Sequence, residues 1–423
     1  MIARSRLLLR LSLRNVARNA RRSTLTALAM VIGLALLVFS RSLADGAHED
    51  WIRSGVRLGN GHVVLQAPNF QRTGDLADRL DSAVTAVAEA AIAAPGVERD
   101  LVAAAPRITV NALASAAAAA VPVRVVAVDP AAEARFSLLT DKLTEGRTLE
   151  PGDHNAGYIG VRLAHRLDLH LGSRFVVTAQ SADGQIADQL LYVRGIFETG
   201  LPDVDEGMVQ IPLRTARQWL GVGDAVTGIA LLLRSSRDVS DVMRALRQAL
   251  PAGDTAITVL DWRHADPALD AAVRLDDYGD YLMHAILLAI VALAIVNTML
   301  MSVLHRSREF GILRALGLTR AETGTMVFGE GLLLTFVSGF VGLAIGAGLT
   351  WLFFRHGLDY SFLMKDQTTM AGVVINPVII PELGLPQLIQ SVTFIVAVGL
   401  LAALYPAYRA TKIDLVEAMK FDE

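Results

Sequence analysis

Four apolar stretches dominate the sequence, and each is long enough to span a bilayer without carrying a charge. They are residues 23–40 ("STLTALAMVIGLALLVFS"), 285–304 ("AILLAIVALAIVNTMLMSVL"), 331–354 and 388–407. A helix needs about 20 mostly apolar residues to cross the hydrocarbon core. One Asp, Lys or Arg at the centre of such a run costs about 2.5–3.5 kcal/mol on insertion scales, and none of the four contains one. The whole chain is 53% hydrophobic and 19% charged, with a mean hydropathy of +0.43. The reading is an α-helical membrane protein with four transmembrane helices. The first run, 18 residues long, exceeds the roughly 7–15-residue apolar region of a secretory signal peptide and is read as an uncleaved anchor.

Charge sets the expected orientation. Residues 1–22 hold seven arginines and no acidic residue, which places them in the cytoplasm by the positive-inside rule. Four spans return the C-terminus to the same side. The loop 305–330, with Arg306, Arg308, Arg314 and Arg320, is then also cytoplasmic, and the acidic stretch 45–280 lies outside. The expected segments are a basic N-terminus (1–22), first span (23–44), extracytoplasmic domain (45–280), second span (281–304), cytoplasmic loop (305–330), third span (331–354), extracytoplasmic loop (355–387), fourth span (388–407) and cytoplasmic tail (408–423).

The segment 45–280 reads as a large α+β domain inserted between the first two spans. "GHVVLQ" (61–66), "VPVRVVAVD" (121–129), "RFVVTAQ", "LLYVRGIF", "GMVQIPL", "GIALLLR" and "AITVLDW" have the β-branched content of strands. Leu76, Leu80, Val84, Val87 and Ala91 predict one face of a helix, and "DVSDVMRALRQAL" (238–250) a second. A split into two subdomains is expected near the alanine run 116–120 or near residues 145–152.

Several chemistries are excluded or unsupported. There is no cysteine, hence no disulfide or thiolate site, and a net charge of −3 argues against nucleic acid as a partner. His48, His62, His154, His165, His170 and His264 form no HExxH-type pair and read as solvated histidines. Asp203, Asp205 and Glu206 lack the spacing of a calcium loop and read as a polar loop. No GxSxG elbow is present, and no GxxxxGK[ST] loop to cradle ATP phosphates. No catalytic or metal residue is expected: the chain is read as non-enzymatic, without a cofactor of its own.

Two features inside the apolar region stand out. Ser338, Gly342, Gly346 and Thr350 recur every fourth residue of the third run and give a face of small side chains, suited to close helix packing within the chain or to a dimer seam. Asn297, in the second run, is expected to hydrogen-bond between helices. Between the second and third runs lies "HRSREFGILRALG" (305–317). Read as a helix, it places Phe310, Leu313 and Leu316 close to one side, Arg306 and Glu309 at i,i+3, and Gly317 at its C-terminal end. Two uses fit: a helix lying among anionic headgroups, or an apolar ridge presented to a cytoplasmic protein.

The residues around this stretch carry a family likeness. "NTMLMSVLHRSREFGILRALGLTRAETGTMVFGEGLLL" resembles the FtsX-type permease domain of ABC transporters, whose loop reads R-x-x-E-[FI]-x-[IV]-L-[RK]-x-x-G. The closing "LYPAYRATKIDLVEAMKFDE" is similar to the family's P-A-x-R-A-x-x-x-x-P-V-E-A-L, with Leu415 where proline is usual and Met419 for leucine. "EGRTLEPGDHNAGYIGVRLAHRLDLHLGSRFVV" and "VRGIFETGLPDVDEGMVQIPLRTARQWL" resemble the MacB-type periplasmic core domain. The likeness implies a mechanotransmitting inner-membrane permease that dimerises, as homo- or heterodimer, and rests on a separate ATPase dimer holding ATP and magnesium. Arg306, Arg308, Glu309, Phe310, Leu313, Arg314 and Gly317 would then form the ATPase-coupling helix. The implied output is release of lipoprotein, lipid or another hydrophobic substrate, closest to the LolC/LolE type, with a periplasmic carrier or adaptor as a further partner. Efflux of the MacB type and FtsX-type control of a cell-wall hydrolase are the alternatives.

Overall fold

The computed structural model describes residues 20–117, 119–251, 256–359, 369–370, 373–374 and 378–413. Most of the basic N-terminus, most of the 355–387 loop and the tail from residue 414, with Leu415 and Met419, lie outside the described residues. In chain order the elements used below begin with helix α1 (Ala20–Leu58), strand β1 (Val63–Gln66), helix α2 (Ser82–Ile92) and the long strands β2 (Leu101–Ala116) and β3 (Ala119–Val128). Helix α3 (Pro130–Phe136) follows, then β4 (Leu143–Gly146), β5 (Ala156–Gly160), β6 (Arg174–Gln180), β7 (Ile186–Phe197), β8 (Met208–Pro212) and β9 (Gly228–Leu233). Helix α4 (Val239–Ala249), β10 (Thr258–Asp261), α5 (Pro267–His305), α6 (Ser307–Ala315), α7 (Arg320–Phe354) and α8 (Leu385–Thr411) complete the set.

The chain divides into two compact units, one formed by 1–47, 276–359 and 378–423, the other by 48–275 with 360–377. In the second unit ten strands form one mixed sheet in the order β10-β1-β9-β2-β3-β8-β5-β7-β4, with β6 paired to β2 and β7. Among the described strands of this sheet, only the pairs β3/β8 and β5/β7 run parallel. The composition of each strand suits its place. β9 and β5 are buried along their whole length and read as unbroken apolar or small-residue runs. β7 lies closer to the edge and alternates, with Leu191 and Val193 inside and Leu190 and Tyr192 outside.

Three expectations change here. The alanine run is no domain boundary: it ends β2 and begins β3, which pair over ten rungs from Arg107↔Val128 to Ala116↔Ala119. Residues 143–146 likewise join the same sheet through β7. The helix expected to begin near Leu76 starts at Ser82, because Leu80 is held in a backbone bridge, its N–H donating to Val226 O (2.8 Å) and its carbonyl accepting from Val226 N (3.1 Å).

The first unit is a bundle of α1, α5, α7 and α8, each carrying a segment long and apolar enough to cross a membrane. Its core is made by Met30, Leu34 and Leu37 of α1, Ile295, Met299 and Val303 of α5, Met326 and Val327 of α7, and Ala402, Ala403, Ala407 and Ala410 of α8. The helices outrun their apolar stretches: α1 continues to Leu58 and α5 begins at Pro267, so each contributes residues to both units. Ile52 and Val56 on the extension of α1, and Leu269 and Val273 on that of α5, are seated in the core of the second unit, which keeps those polar-looking segments helical.

Candidate functional site

α5 stops at His305, and α6 restarts one residue later. Arg306 sits at φ −105°, ψ 14°, off the helical geometry, and its side chain explains the break. It is buried, donating from Nε to Glu309 Oε2 (2.9 Å) and from Nη1 to Glu330 Oε2 of α7 (2.7 Å), with its guanidinium 5.2 Å from the Phe310 ring centroid. At α6's other end Gly317 takes φ +104°, a conformation an L side chain resists, and the chain turns into α7. There Thr319 and Glu322 close a capping box: Thr319 Oγ1 accepts from Glu322 N (3.2 Å) and Thr319 N donates to Glu322 Oε2 (2.9 Å). α6 is thus fixed at its start by an ion pair and at its end by a glycine turn.

The orientation of α6 differs from the expected docking ridge. Phe310 is fully buried in the chain's own bundle core, and Leu313 is half-buried against the same cluster. Arg314 donates to Ile413 O, tying α6 to the segment after α8. Phe310 and Leu313 therefore pack inward and seat the helix on its own bundle. Leu316 leaves their side altogether, at 78% exposed, and Ile312 is 50% exposed. Together with exposed Arg308, these two make the outward face; Glu309 is half-buried at the edge. Amphipathic spacing shows that one side is apolar but not whose core it enters, and here Phe310 and Leu313 enter the chain's own. The available signal was the second apolar pair, Ile312 and Leu316, at i,i+4.

The small-residue face of α7 is also engaged within the chain. Ser338, Gly342, Gly346 and Thr350 are all buried. A Cβ on Gly342 would lie 2.7 Å from Leu34 Cβ, and one on Gly346 would lie 2.9 Å from Ala35 O. The face packs on α1. Asn297 does not form the expected interhelical bond: it is exposed on α5, and its side chain makes no hydrogen bond among the described residues.

In the second unit the acidic cluster is structural. Asp205 is buried and accepts from Thr199 N (2.8 Å), Thr199 Oγ1 (2.7 Å) and Gly200 N (3.0 Å), while Glu206 pairs with Arg166. His62 is not solvated but 1% exposed; its Nδ1 accepts from Leu233 N (3.1 Å), and burial lowers its pKa to about 4. His154 contacts Arg214, and His264 pairs with Asp261 (2.5 Å). Among the described residues no three His, Cys, Asp or Glu side chains gather as metal ligands.

Comparison with known proteins matches both halves of the sequence. A family profile described as FtsX-like permease C-terminal covers residues 281–415, and one described as MacB-like periplasmic core domain covers 23–249. The lipoprotein-releasing system transmembrane protein LolC of Xylella fastidiosa is 24% identical over 306 residues, 69% of this chain and 71% of that protein. LolC of Neisseria meningitidis serogroup B is 24% identical over 340 residues, 77% and 79% of the two chains. The macrolide export ATP-binding/permease protein MacB of Bdellovibrio bacteriovorus is 23% identical over 230 residues, 52% of this chain and 32% of that one. With one profile spanning more than half of its 423 residues and the other the region of α5 to α8, the chain belongs to the family of ABC-transporter permeases that combine a MacB-like periplasmic core domain with an FtsX-like permease region.

Proposed function

We propose that this integral membrane protein is the mechanotransmission subunit of a lipoprotein- or lipid-releasing transporter of the bacterial inner membrane. ATP and magnesium bind on a separate cytoplasmic ATPase dimer, α6 is the coupling helix, and the extracytoplasmic unit carries the output. One observation carries the assignment of α6: a short helix anchored on its inner side by Arg306 and Phe310 turns Arg308, Ile312 and Leu316 outward. That face is apolar at its centre and cationic at its edge. The likeness to LolC over about three-quarters of both chains supports the lipoprotein reading. The absence of a phosphate-binding loop from the sequence supports a partner ATPase.

The seven arginines of 1–22 support cytoplasmic termini. A second permease chain fits the exposed Asn297, since an amide in hydrocarbon gains from a partner. MacB-like efflux is the second reading, supported by the 23% identity over 230 residues.

Topology and partnership are tested together. The sequence has no cysteine, so Gln185→Cys and Leu316→Cys are unique thiols. Gln185→Cys should react with an impermeant maleimide on intact spheroplasts, and Leu316→Cys only after lysis. Mild-detergent pull-down of the tagged chain should recover an ATPase with bound lipoprotein or lipid. Labelling of both thiols in intact spheroplasts, or ATP hydrolysis by the repurified chain alone, would remove this reading.

A further inference from the structure

A cleft of about 350 Å³ opens on one face of the ten-stranded sheet, wholly within the second unit. The register builds its floor in rows. Gln66 and Arg107 flank Gly228 across β1, β9 and β2. Thr109 and Gln210 flank Val126, and Asn111 pairs with Arg124 in the row beyond. Ligand pockets of roughly 300–1,000 Å³ are usually lined by apolar side chains with a few polar groups. This one inverts that composition, so an occupant would be polar.

The charges of the lining are unequal in their engagement. Arg107 is neutralised by Glu133, to which its Nη2 donates at 2.8 and 3.0 Å. Asp266 caps the start of α5, accepting from Leu269 N at 3.1 Å. Arg72 and Arg124, both exposed, make no ion pair or hydrogen bond through their side chains among the described residues, and neither do the amides of Asn60 and Asn111. Two free guanidinium forks thus stand over a cleft that also offers two unused amides. A guanidinium holds a carboxylate or phosphate through paired charge-assisted bonds, and each amide can donate to and accept from a hydroxyl.

We infer that this cleft binds a small polyhydroxylated anion, a sugar phosphate or sugar acid, with its anionic group on Arg72 and Arg124 and its hydroxyls toward Asn60 and Asn111. This site is independent of α6 and of the cargo. Gly228 and Thr109 at the floor leave room below the arginines, and Gln66 is already held, its Nε2 donating to Gln71 Oε1 at 3.2 Å.

The test is calorimetric titration of the full-length chain in detergent with four probes: glucose 6-phosphate, gluconate, glucose and inorganic phosphate. At least one of the two sugar anions should bind saturably at one site per chain and more tightly than either glucose or inorganic phosphate. Which of them binds separates the phosphate from the carboxylate source. Arg72→Gln and Arg124→Gln, exposed and unpaired in the parent, should each weaken that binding by about tenfold with an unchanged unfolding temperature. Absence of binding by both sugar anions at millimolar concentration overturns the inference. So does equal binding of glucose, equal binding of inorganic phosphate, or affinity untouched by both substitutions.

Discussion

The seat of α6 can be broken at one atom pair. Glu330→Gln keeps the shape of the side chain facing Arg306 and removes its charge. In the parent the two groups are 2.7 Å apart, with side-chain exposures of 9% for Arg306 and 10% for Glu330. Two unit charges with centres about 4 Å apart attract by ~4 kcal/mol at an effective dielectric of about 20, and stripping one partner from a buried pair typically costs about 3–5 kcal/mol. Arg306 retains Glu309 at 2.9 Å, but that carboxylate is 39% exposed, and an exposed partner returns only about 0–1 kcal/mol. The expected loss is therefore about 2–4 kcal/mol.

Thermal loss of helical circular dichroism in detergent, at one fixed scan rate, reads this loss in the helical unit. A destabilisation of that size should lower the midpoint by roughly 5–10 °C. The double variant Arg306→Met/Glu330→Met should recover most of the loss, because apolar side chains in the same volume incur no charge-burial penalty. If Glu330→Gln moves the midpoint by less than about 1 °C, or the double variant is no more stable than the single, the pair is not what seats the helix.

Leu316→Asp and Ile312→Asp should abolish co-purification of the partner ATPase while leaving the melting midpoint unchanged, because both side chains are exposed; Phe310→Ala should instead lower the midpoint, by about 3–5 kcal/mol of core loss. Gly346→Val should loosen α7 from α1, since the first added carbon already falls 2.9 Å from Ala35 O and 3.0 Å from Val38 Cβ, and should raise the reactivity of a cysteine placed at Ala35. His62 gives the second unit a pH dependence. Its folded pKa of about 4 lies below the unfolded value of 6.5, so the unfolded chain takes up the proton first and stability falls as pH drops from 6.5 towards 4, by about 3 kcal/mol over the window. His62→Asn, which keeps an acceptor for Leu233 N, should flatten that fall; an unchanged slope would assign it to other groups.

How much of this was legible in the sequence depended on whether a residue's neighbours were local. The four helices long and apolar enough to cross a membrane were legible because that capacity is a property of the run itself. The strands from β1 to β10 were legible where β-branched residues alternate or run unbroken, as in "GHVVLQ" and "GIALLLR". β2 was missed because "LVAAAPRITVNALASA" is alanine-rich, with little intrinsic strand preference. Its ten-rung pairing with β3 and further pairing with β9 and β6 supply what the local sequence lacks.

The same division explains the errors at the candidate site. α1 beyond Ala44 carries Asp45, Glu49, Asp50, Arg53 and Arg57, which composition alone marks as the start of a loop. It stays helical because Arg41 and Asp45 pair at i,i+4 (3.2 Å), Glu49 accepts from Ser236 N (3.0 Å), and Arg57 donates to Phe136 O (3.1 Å). For α6 the charges were legible and their partners were not. Arg306 and Glu309 are three apart and were paired on that ground, but the carboxylate that buries Arg306 is Glu330, 24 residues on and across a turn. With Arg306 held by that long-range pair and Phe310 beneath the guanidinium, the helix turns Arg308, Ile312 and Leu316 outward. The outward face of α6 is thus tied to a charge on α7, which is why a substitution at Glu330 should disturb the placing of Ile312 and Leu316 without touching either.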